Sequence, residues 1–126
     1  MNITILTNLS EKKLSEIGME YKKRLGGYCT CNITKAAKTK KAYFINAMAK
    51  DTYISSEEFA WKISDIALSG YSRIVFDAGS NSADVKKFDY EFTLTSLDVS
   101  EDMFIAMLLE QIYRAFKINS SETYHK

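Results

Sequence analysis

The chain has 126 residues, 46% of them hydrophobic and 26% charged, and it is long enough to bury a core as one domain without disulfides or metal. A formal net charge of +1 excludes a polycation that binds nucleic acid over its whole surface, so any RNA-binding residues must be clustered. The basic residues at 22–24 and the lysines between 35 and 41 are two such clusters, and both are equally compatible with an ordinary solvated surface.

No apolar run approaches the roughly 18 residues that a membrane-spanning helix needs. Residues 1–7 also lack the basic start and small-residue cleavage site of a secretory signal, so we expect a cytoplasmic protein with no membrane partner. Cys29 and Cys31 are too close in sequence for an unstrained disulfide and have no neighbouring His or Cys partner for zinc. Reduced thiols are the favoured interpretation, with metal binding as a minor alternative.

The first third of the chain predicts three strands and one helix from its apolar periodicity. Residues 2–7 are predicted as a strand, and Ser10 is placed to cap a helix that ends at the two glycines at 26–27. A second strand is predicted at residues 28–34, before a lysine-rich polar loop. A third, buried strand is predicted at residues 42–49.

The middle of the chain contains a sharp helix signal. Ser55 and Glu58 have the spacing of a capping box, and Gly70 is placed to close the helix that follows. Residues 73–78 then form a short apolar run that predicts a strand ending at Gly79.

The last third of the chain predicts one more strand and one long helix. A polar turn and a brief helical piece are expected from residue 80, and a final strand near residues 91–97. Ser100 is the predicted cap of the last helix, with Glu101 and Asp102 in its first turn, where negative charge suits the helix dipole.

The last helix is apolar nearly all round, and a helix without a polar face is buried on more than one side. In so small a domain, another subunit is the simplest way to cover the second apolar side of this helix. We therefore expect a homodimer built partly on it. A monomer that wraps the helix fully is the alternative.

Strands that alternate with helices predict an α/β fold with a mostly parallel sheet flanked by helices. Ligands of such sheets bind at the carboxyl ends of the strands, which points to the loops after Ala49, Ala78 and Leu97.

The carboxyl-terminal segment at 108–126 ends on an aromatic residue and the chain's one histidine, which suggests an end with a fixed place. The segment resembles the end of the RlmH-type ribosomal RNA methyltransferases of the SPOUT superfamily, in which a Glu-Gln-x-Tyr-Arg-Ala helix precedes a Tyr-His-Lys/Arg terminus. The matching residues are Glu110, Gln111, Tyr113, Arg114, Ala115, Tyr124, His125 and Lys126. Shorter matching segments are scattered over most of the chain.

The resemblance implies a fold whose carboxyl-terminal part forms a trefoil knot. It also implies transfer of a methyl group from S-adenosyl-L-methionine to N3 of a pseudouridine in 23S ribosomal RNA of the large ribosomal subunit. The protein's task in such a reaction is to bind the cofactor, align the base and help to remove the N3 proton.

The terminal segment also contains candidate site residues. His125 and Arg114 are the candidate catalytic residues, and Tyr124 and Lys126 are the candidate RNA contacts. An ordinary solvated terminus is the alternative for His125, and a salt bridge to a partner subunit is the alternative for Arg114. In this arrangement the terminal segment folds back, so that two copies of the chain jointly complete one cleft. The cofactor pocket is implied at three loops: Ala47, Gly79, Ser80, Thr95, Ser96, Leu97, Asp98, Val99 and Ser100.

The chain departs from the family pattern within this pocket. The family has Leu-Asp/Glu-x-x-Gly-Lys in the first loop where this chain has residues 47–52, and Gly-Gly-x-x-Gly in the second where it has residues 79–83. In the third loop Asp98 and Glu101 replace the first and last residues of Thr-Phe-Pro-His. Loss of the glycines in the first two loops disfavours a backbone with positive φ. The added carboxylates of the third loop favour the cationic sulfonium of the methyl donor and repel RNA phosphate.

Three functions therefore remain open on the sequence. The first is a compact RlmH-like methyltransferase, and the second is a SPOUT-fold dimer that binds RNA or the ribosome and has lost the cofactor. A methyltransferase that acts on a different RNA is the third.

Overall fold

The computed structural model describes residues 1–36, 41–79 and 87–120. Within these ranges five strands form one parallel sheet in the order β2-β1-β4-β3-β5. The strands are β1 (Asn2–Leu6), β2 (Thr30–Thr34), β3 (Tyr43–Asn46), β4 (Arg73–Asp77) and β5 (Tyr90–Glu91). The helices of the described residues are α1 (Glu16–Leu25), α2 (Ser56–Leu68) and α3 (Glu101–Asn119). The predicted parallel α/β fold is confirmed, and the trefoil knot stays a prediction.

One face of the sheet carries the main core. The alternate residues Ile3 and Ile5 of β1 and Ile74 and Phe76 of β4 are buried in one cluster with side chains from all three described helices. The opposite face has a smaller cluster that includes Leu6 and Val75. Because side chains alternate across a strand, this pattern fixes which face of β1 and β4 the helices cover.

The first helix begins later than the sequence predicts. Ser10 caps only a single 3₁₀ turn, Glu11–Lys13, by accepting a hydrogen bond from the Lys12 backbone N–H at 3.3 Å. The α-helix begins after Ser15, whose hydroxyl accepts from the Gly18 backbone N–H at 3.1 Å. Two serines within six residues compete as caps, and apolar spacing alone does not decide between them.

The second predicted helix is confirmed at both ends. Ser55 accepts from the Glu58 backbone N–H at 3.1 Å, as expected for the cap of α2. At the other end Gly70 has φ +96°, and its N–H donates to the carbonyl of Ala67 at 3.2 Å. The N–H of Tyr71 donates to the carbonyl of Ile66, which completes a Schellman motif.

The predicted final strand is mostly wrong. Only Tyr90–Glu91 pairs with β3, followed by an isolated bridge between Tyr53 and Thr93. The chain then turns, because the Thr95 hydroxyl accepts a hydrogen bond from the Leu97 backbone N–H at 3.0 Å. Alternation of Phe92 and Leu94 with polar residues therefore marks a loop anchored by the buried Phe92 and the partly buried Leu94. The polar turn predicted at residues 80–84 and the start of the brief helical piece predicted after it lie outside the described residues, and residues 87–89 are not helical.

The last helix is covered more fully by its own chain than the sequence suggests. Both α1 and α2 pack against α3, and Leu108, Leu109 and Ile112 are fully buried. Met103 remains 47% exposed on the opposite side. Within the described ranges, no helix combines the length and apolar character needed to cross a membrane.

Candidate functional site

A cleft of about 570 Å³ opens where β3, β4 and β5 end. Parallel strands place their carboxyl ends on one edge of the sheet, so the loops after β3, β4 and β5 meet there although they are distant in sequence. The volume lies within the range of about 300–1,000 Å³ typical of small-molecule sites. The cleft is lined by Met48, Lys50, Asp51, Tyr53, Ala78, Gly79, Thr93, Thr95, Ser96, Leu97, Asp98, Val99, Glu101 and Phe104.

Backbone hydrogen bonds tie the loops that form the cleft to one another. The Ala47 N–H donates to the Asp77 carbonyl at 3.0 Å, which joins the end of β3 to the end of β4. The Ala49 N–H donates to the Phe92 carbonyl at 3.1 Å, which joins the first loop to the third. The cleft is therefore formed on a fixed backbone frame, although its walls belong to loops.

Two backbone positions in the cleft wall have positive φ. Gly79 has φ +94°, and Asp51 has φ +63°. Asp51 stands where the family's first loop carries glycine, and aspartate is one of the few other residues that adopt this conformation with some frequency. Loss of this glycine would be expected to disfavour a positive φ in the first loop. The backbone at Asp51 nevertheless has the positive φ that glycine adopts readily.

The charge in the cleft wall is predominantly negative. Lys50 contributes one ammonium group, against the carboxylates of Asp51, Asp98 and Glu101. Beside the cleft, the Ser100 hydroxyl donates to the Asp102 carboxylate at 2.5 Å, and this hydrogen bond lowers the pKa of Asp102. A wall of this composition favours a ligand with positive charge and disfavours a phosphate.

Most of the predicted cofactor-binding residues come together in this cleft. Those that line it are Gly79, Thr95, Ser96, Leu97, Asp98 and Val99. Ala47 lies behind the wall with no exposed surface, and Ser100 is exposed at the start of α3 without lining the cleft. Ser80, Tyr124, His125 and Lys126 lie outside the described residues.

Tyr53 and Phe104 line the cleft but were missed by the sequence reasoning, whereas Met48 belongs to the first loop that the resemblance implied. All three contribute apolar surface to the cleft. Tyr53 and Met48 are about half exposed, at 53% and 48%, so both present apolar surface to the cleft. The polar signals of the loops were readable in the sequence, but exposure of an aromatic or methionine side chain becomes visible only in the fold.

A second feature surrounds Arg114, the predicted catalytic arginine on α3. Its Nε donates to Glu110 Oε2 at 3.0 Å, and its Nη1 donates to the hydroxyl of Ser56 at 3.3 Å. The Ser56 hydroxyl donates to Gln111 Oε1 at 3.1 Å, and Gln111 Nε2 donates to Glu110 Oε1 at 2.9 Å. These four side chains close a ring of hydrogen bonds between α2 and α3, which we call the Arg114 ring.

The Arg114 ring borders an apolar groove of about 350 Å³ between α1, the start of α2 and α3. Ile17, Met103 and Met107 line this groove together with Ser56, Glu110 and Gln111 of the ring. Ile17 is 60% exposed, which is high for a branched apolar side chain in a helix. Met103 and Met107 of α3 therefore keep apolar surface in this groove that the described residues do not fully cover.

The two cysteines lie away from the cleft. Both are free and half-buried, Cys29 just before β2 and Cys31 within it. Burial raises the pKa of the Cys29 thiol to about 11 and that of Cys31 to about 12. Such thiols are poor nucleophiles near neutral pH.

A parallel α/β sheet with a cleft formed by loops from three strand ends defines a protein of the α/β class, in which ligands commonly bind at that edge of the sheet. The family profile of the predicted SPOUT methyltransferases matches residues 33–125, about three-quarters of the chain. The chain belongs to the SPOUT methyltransferase family.

Curated relatives agree with this assignment. The chain is 32% identical to the ribosomal RNA large subunit methyltransferase H of Clostridium kluyveri and 33% identical to that of Clostridium acetobutylicum. It is 31% identical to the protein of the same name from Bifidobacterium adolescentis. Each alignment runs over 159 positions and covers 100% of both chains, so this chain of 126 residues carries gaps relative to its relatives.

Proposed function

We propose that this protein methylates N3 of a pseudouridine in 23S ribosomal RNA with S-adenosyl-L-methionine as methyl donor. The observation that carries the proposal is the cleft at the ends of β3, β4 and β5, in a chain of the SPOUT methyltransferase family. Relatives named as ribosomal RNA large subunit methyltransferases support the choice of RNA substrate. The pseudouridine and its N3 atom rest on the RlmH-type resemblance.

S-adenosyl-L-methionine supplies a methyl group on a positively charged sulfur. In the proposed site the loop at residues 95–99 and Gly79 hold the adenosine part, and the absence of a side chain at Gly79 lets the ligand approach the backbone closely there. Asp98 and Glu101 offer negative charge to the cationic ligand. The partly enclosed wall excludes water from the reacting atoms, which strengthens these electrostatic contacts.

The terminal residues complete the site in this proposal. Histidine is the side chain whose ordinary pKa lies closest to neutral pH, so His125 is the candidate for the group that accepts the N3 proton. Tyr124 stacks on a base, and Lys126 and Arg114 contact the RNA backbone. These roles are proposed for the residues at the matching family positions and can be tested by mutation.

We further propose a homodimer whose second copy seats on the groove along α3. Met103 and Met107 stand one helical turn apart on the face of α3 that the protomer leaves partly uncovered, and Ile17 extends this apolar surface. Seated there, a second copy lies beside the Arg114 ring, three of whose side chains line the groove. The proposal that two protomers complete each cleft rests on the RlmH-type resemblance.

Sedimentation of matched variants tests the dimer. Met107→Lys introduces a charge into the groove and is expected to give monomers. Leu68→Lys is the control, because Leu68 is 85% exposed on α2 and does not line the groove. Equal sedimentation of Met107→Lys and the wild type would contradict this interface.

A second candidate function is an RNA-binding dimer that no longer uses the cofactor. The substitutions that favour it are Asp98 and Glu101, which replace a neutral residue and an imidazole in the third loop. Isothermal titration with S-adenosyl-L-methionine separates the two functions. Binding at cellular cofactor concentrations is expected for the enzyme, whereas flat heats would favour the cofactor-free dimer.

Charge variants make the titration specific to the cleft. Glu101→Gln is expected to weaken binding of the cationic cofactor, whereas Asp102→Asn, one residue further along α3 and outside the cleft wall, is the matched control. Ribosomes from a strain that lacks the gene then identify the substrate. If the methylated pseudouridine is still present in that strain, this protein is not the enzyme that makes it.

A further inference from the structure

We propose that Ser56 and Gln111 are positioning residues that hold the guanidinium of Arg114 ready to bind a phosphate of the RNA substrate. This inference rests on the proposed function, because it assigns one contact to the RNA in that reaction. It adds two residues to the site that neither the capping pattern nor the terminal resemblance assigns a role in binding. Ser56 in particular belongs to α2, outside the carboxyl-terminal segment.

The geometry of the ring restricts the arginine at two of its nitrogens. The Nε atom is held by Glu110 at 3.0 Å and the Nη1 atom by Ser56 at 3.3 Å. Two restraints at different nitrogens fix both the position and the plane of a guanidinium group. A planar group held in this way is oriented before it meets a phosphate, whose oxygens it recognises through parallel N–H groups.

Gln111 makes the restraint from Ser56 directional. A serine hydroxyl rotates freely and can either donate or accept. Here its proton is directed to Gln111 Oε1 at 3.1 Å, which leaves an oxygen lone pair for Arg114. The amide of Gln111 is in turn fixed on Glu110 Oε1 at 2.9 Å. Each member of the ring therefore has its donor and acceptor roles set by its neighbour.

The location of the ring favours a binding role over a purely structural tie. Ser56, Glu110 and Gln111 line the groove proposed for the second copy, whereas Arg114 is not among the residues that line it and its side chain keeps 31% of its surface exposed. The Glu110 side chain is 19% exposed, less than that of the arginine that it orients. Arg114 therefore keeps exposed side-chain surface, as contact with an RNA backbone requires.

Preorganisation has a measurable consequence. An arginine that is already immobilised loses less side-chain freedom on binding than a mobile one. Removing the Ser56 hydroxyl is expected to weaken binding of RNA by about three- to tenfold while Arg114 itself is still present. The same removal is not expected to change the affinity for S-adenosyl-L-methionine, because Ser56 does not line the cofactor cleft.

The experiment is a double-mutant cycle on binding of the full-length protein to large ribosomal subunits that lack the modification. Ser56→Ala, Arg114→Gln and the double variant are compared at several salt concentrations. Ser55→Ala is the matched control, because it removes the neighbouring hydroxyl and disturbs only the cap of α2. Ser56→Thr, which keeps a hydroxyl at the same position, is expected to restore the wild-type affinity.

Arg114→Gln is expected to reduce the slope of log affinity against log salt by about 0.7, the loss of one phosphate contact to single-stranded nucleic acid. In the Arg114→Gln background, Ser56→Ala is expected to have no further effect, because both changes remove the same contact. Additive losses, or equal losses in Ser55→Ala and Ser56→Ala, would overturn the positioning role. These binding data do not depend on turnover. A wild-type protein that binds the subunits but does not methylate them would therefore contradict the proposed function and leave the positioning role of Ser56 and Gln111 intact.

Discussion

Replacing Gly79 with alanine examines the backbone on which the cofactor cleft depends. Gly79 follows β4, lines the cleft and has φ +94°, a conformation that L-amino acids with a side chain rarely adopt. Its N–H donates to Asp77 Oδ1 at 3.1 Å, and its carbonyl accepts from Asn8 Nδ2 at 3.1 Å. These contacts oppose any rotation that would bring φ back to a negative value.

The expected cost of this substitution is conformational only. A Cβ added at Gly79 meets no atom within 4 Å, so steric overlap with neighbouring residues does not contribute. The left-handed backbone then costs about 1–2 kcal/mol in the free energy of unfolding. For a domain of this size that corresponds to a fall of roughly 3–8 °C in Tm.

Two other glycines provide the controls. Gly70 has φ +96° and the same empty surroundings, so Gly70→Ala is expected to cost about as much as Gly79→Ala. A Cβ on Gly27 would lie 3.6 Å from the Arg24 carbonyl, an ordinary contact, and the φ of Gly27 is not positive. Gly27→Ala is therefore expected to be neutral or to stabilise the protein by up to about 1 kcal/mol.

The assay combines urea unfolding with titration of S-adenosyl-L-methionine. Gly79→Ala is expected to lower both stability and cofactor affinity, because the strained residue forms part of the cleft wall. Gly70→Ala is expected to lower stability alone, because it lies at the opposite edge of the sheet, between α2 and β4. Wild-type stability of Gly79→Ala would refute the positive φ, and equal loss of affinity in both variants would refute the placement of the cofactor.

Three further predictions concern stability. Ser55→Ala removes the cap that accepts from the Glu58 N–H at 3.1 Å and should cost about 1 kcal/mol, measured as a lower urea midpoint at unchanged m. Phe92→Ala should cost about 3–5 kcal/mol by thermal unfolding, because this ring has no exposed surface; a loss below about 1 kcal/mol would mean that the third loop is not anchored there. Burial raises the pKa of Cys29 from 9.0 to about 11 and that of Cys31 from 9.0 to about 12. Above pH 9 the unfolded chain then loses these protons first, so the free energy of unfolding should fall as pH rises, and a double Cys→Ser variant should lose this dependence.

Local signals in the sequence predicted the helix caps well. Ser55 with Glu58, and Gly70 at the other end of α2, act through hydrogen bonds to residues within four positions, so a short window contains the whole interaction. The same kind of signal failed at Ser10, since Ser15 offers an equivalent cap nearby. Where two local solutions are available, packing of the helix on the sheet decides between them.

The candidate site was only partly predictable. The resemblance selected the loops at Gly79 and at 95–99 that line the cleft, because these segments keep their order along the chain. It did not predict that Asp51 adopts φ +63° in place of a glycine. Nor did it link Ser56 to Arg114, since these residues are 58 positions apart and meet only when α2 packs against α3.

The sequence by itself determined the alternation of strands and helices, the parallel α/β class and the family, because these depend on periodicity, caps and motifs that are local in the chain. The tertiary structure decided the strand order β2-β1-β4-β3-β5, which brings the ends of β3, β4 and β5 together around one cleft. It also decided which side of α3 stays exposed and closed the ring around Arg114. Those features depend on contacts between residues far apart in sequence, and the free energy of such contacts is set by packing of the whole fold.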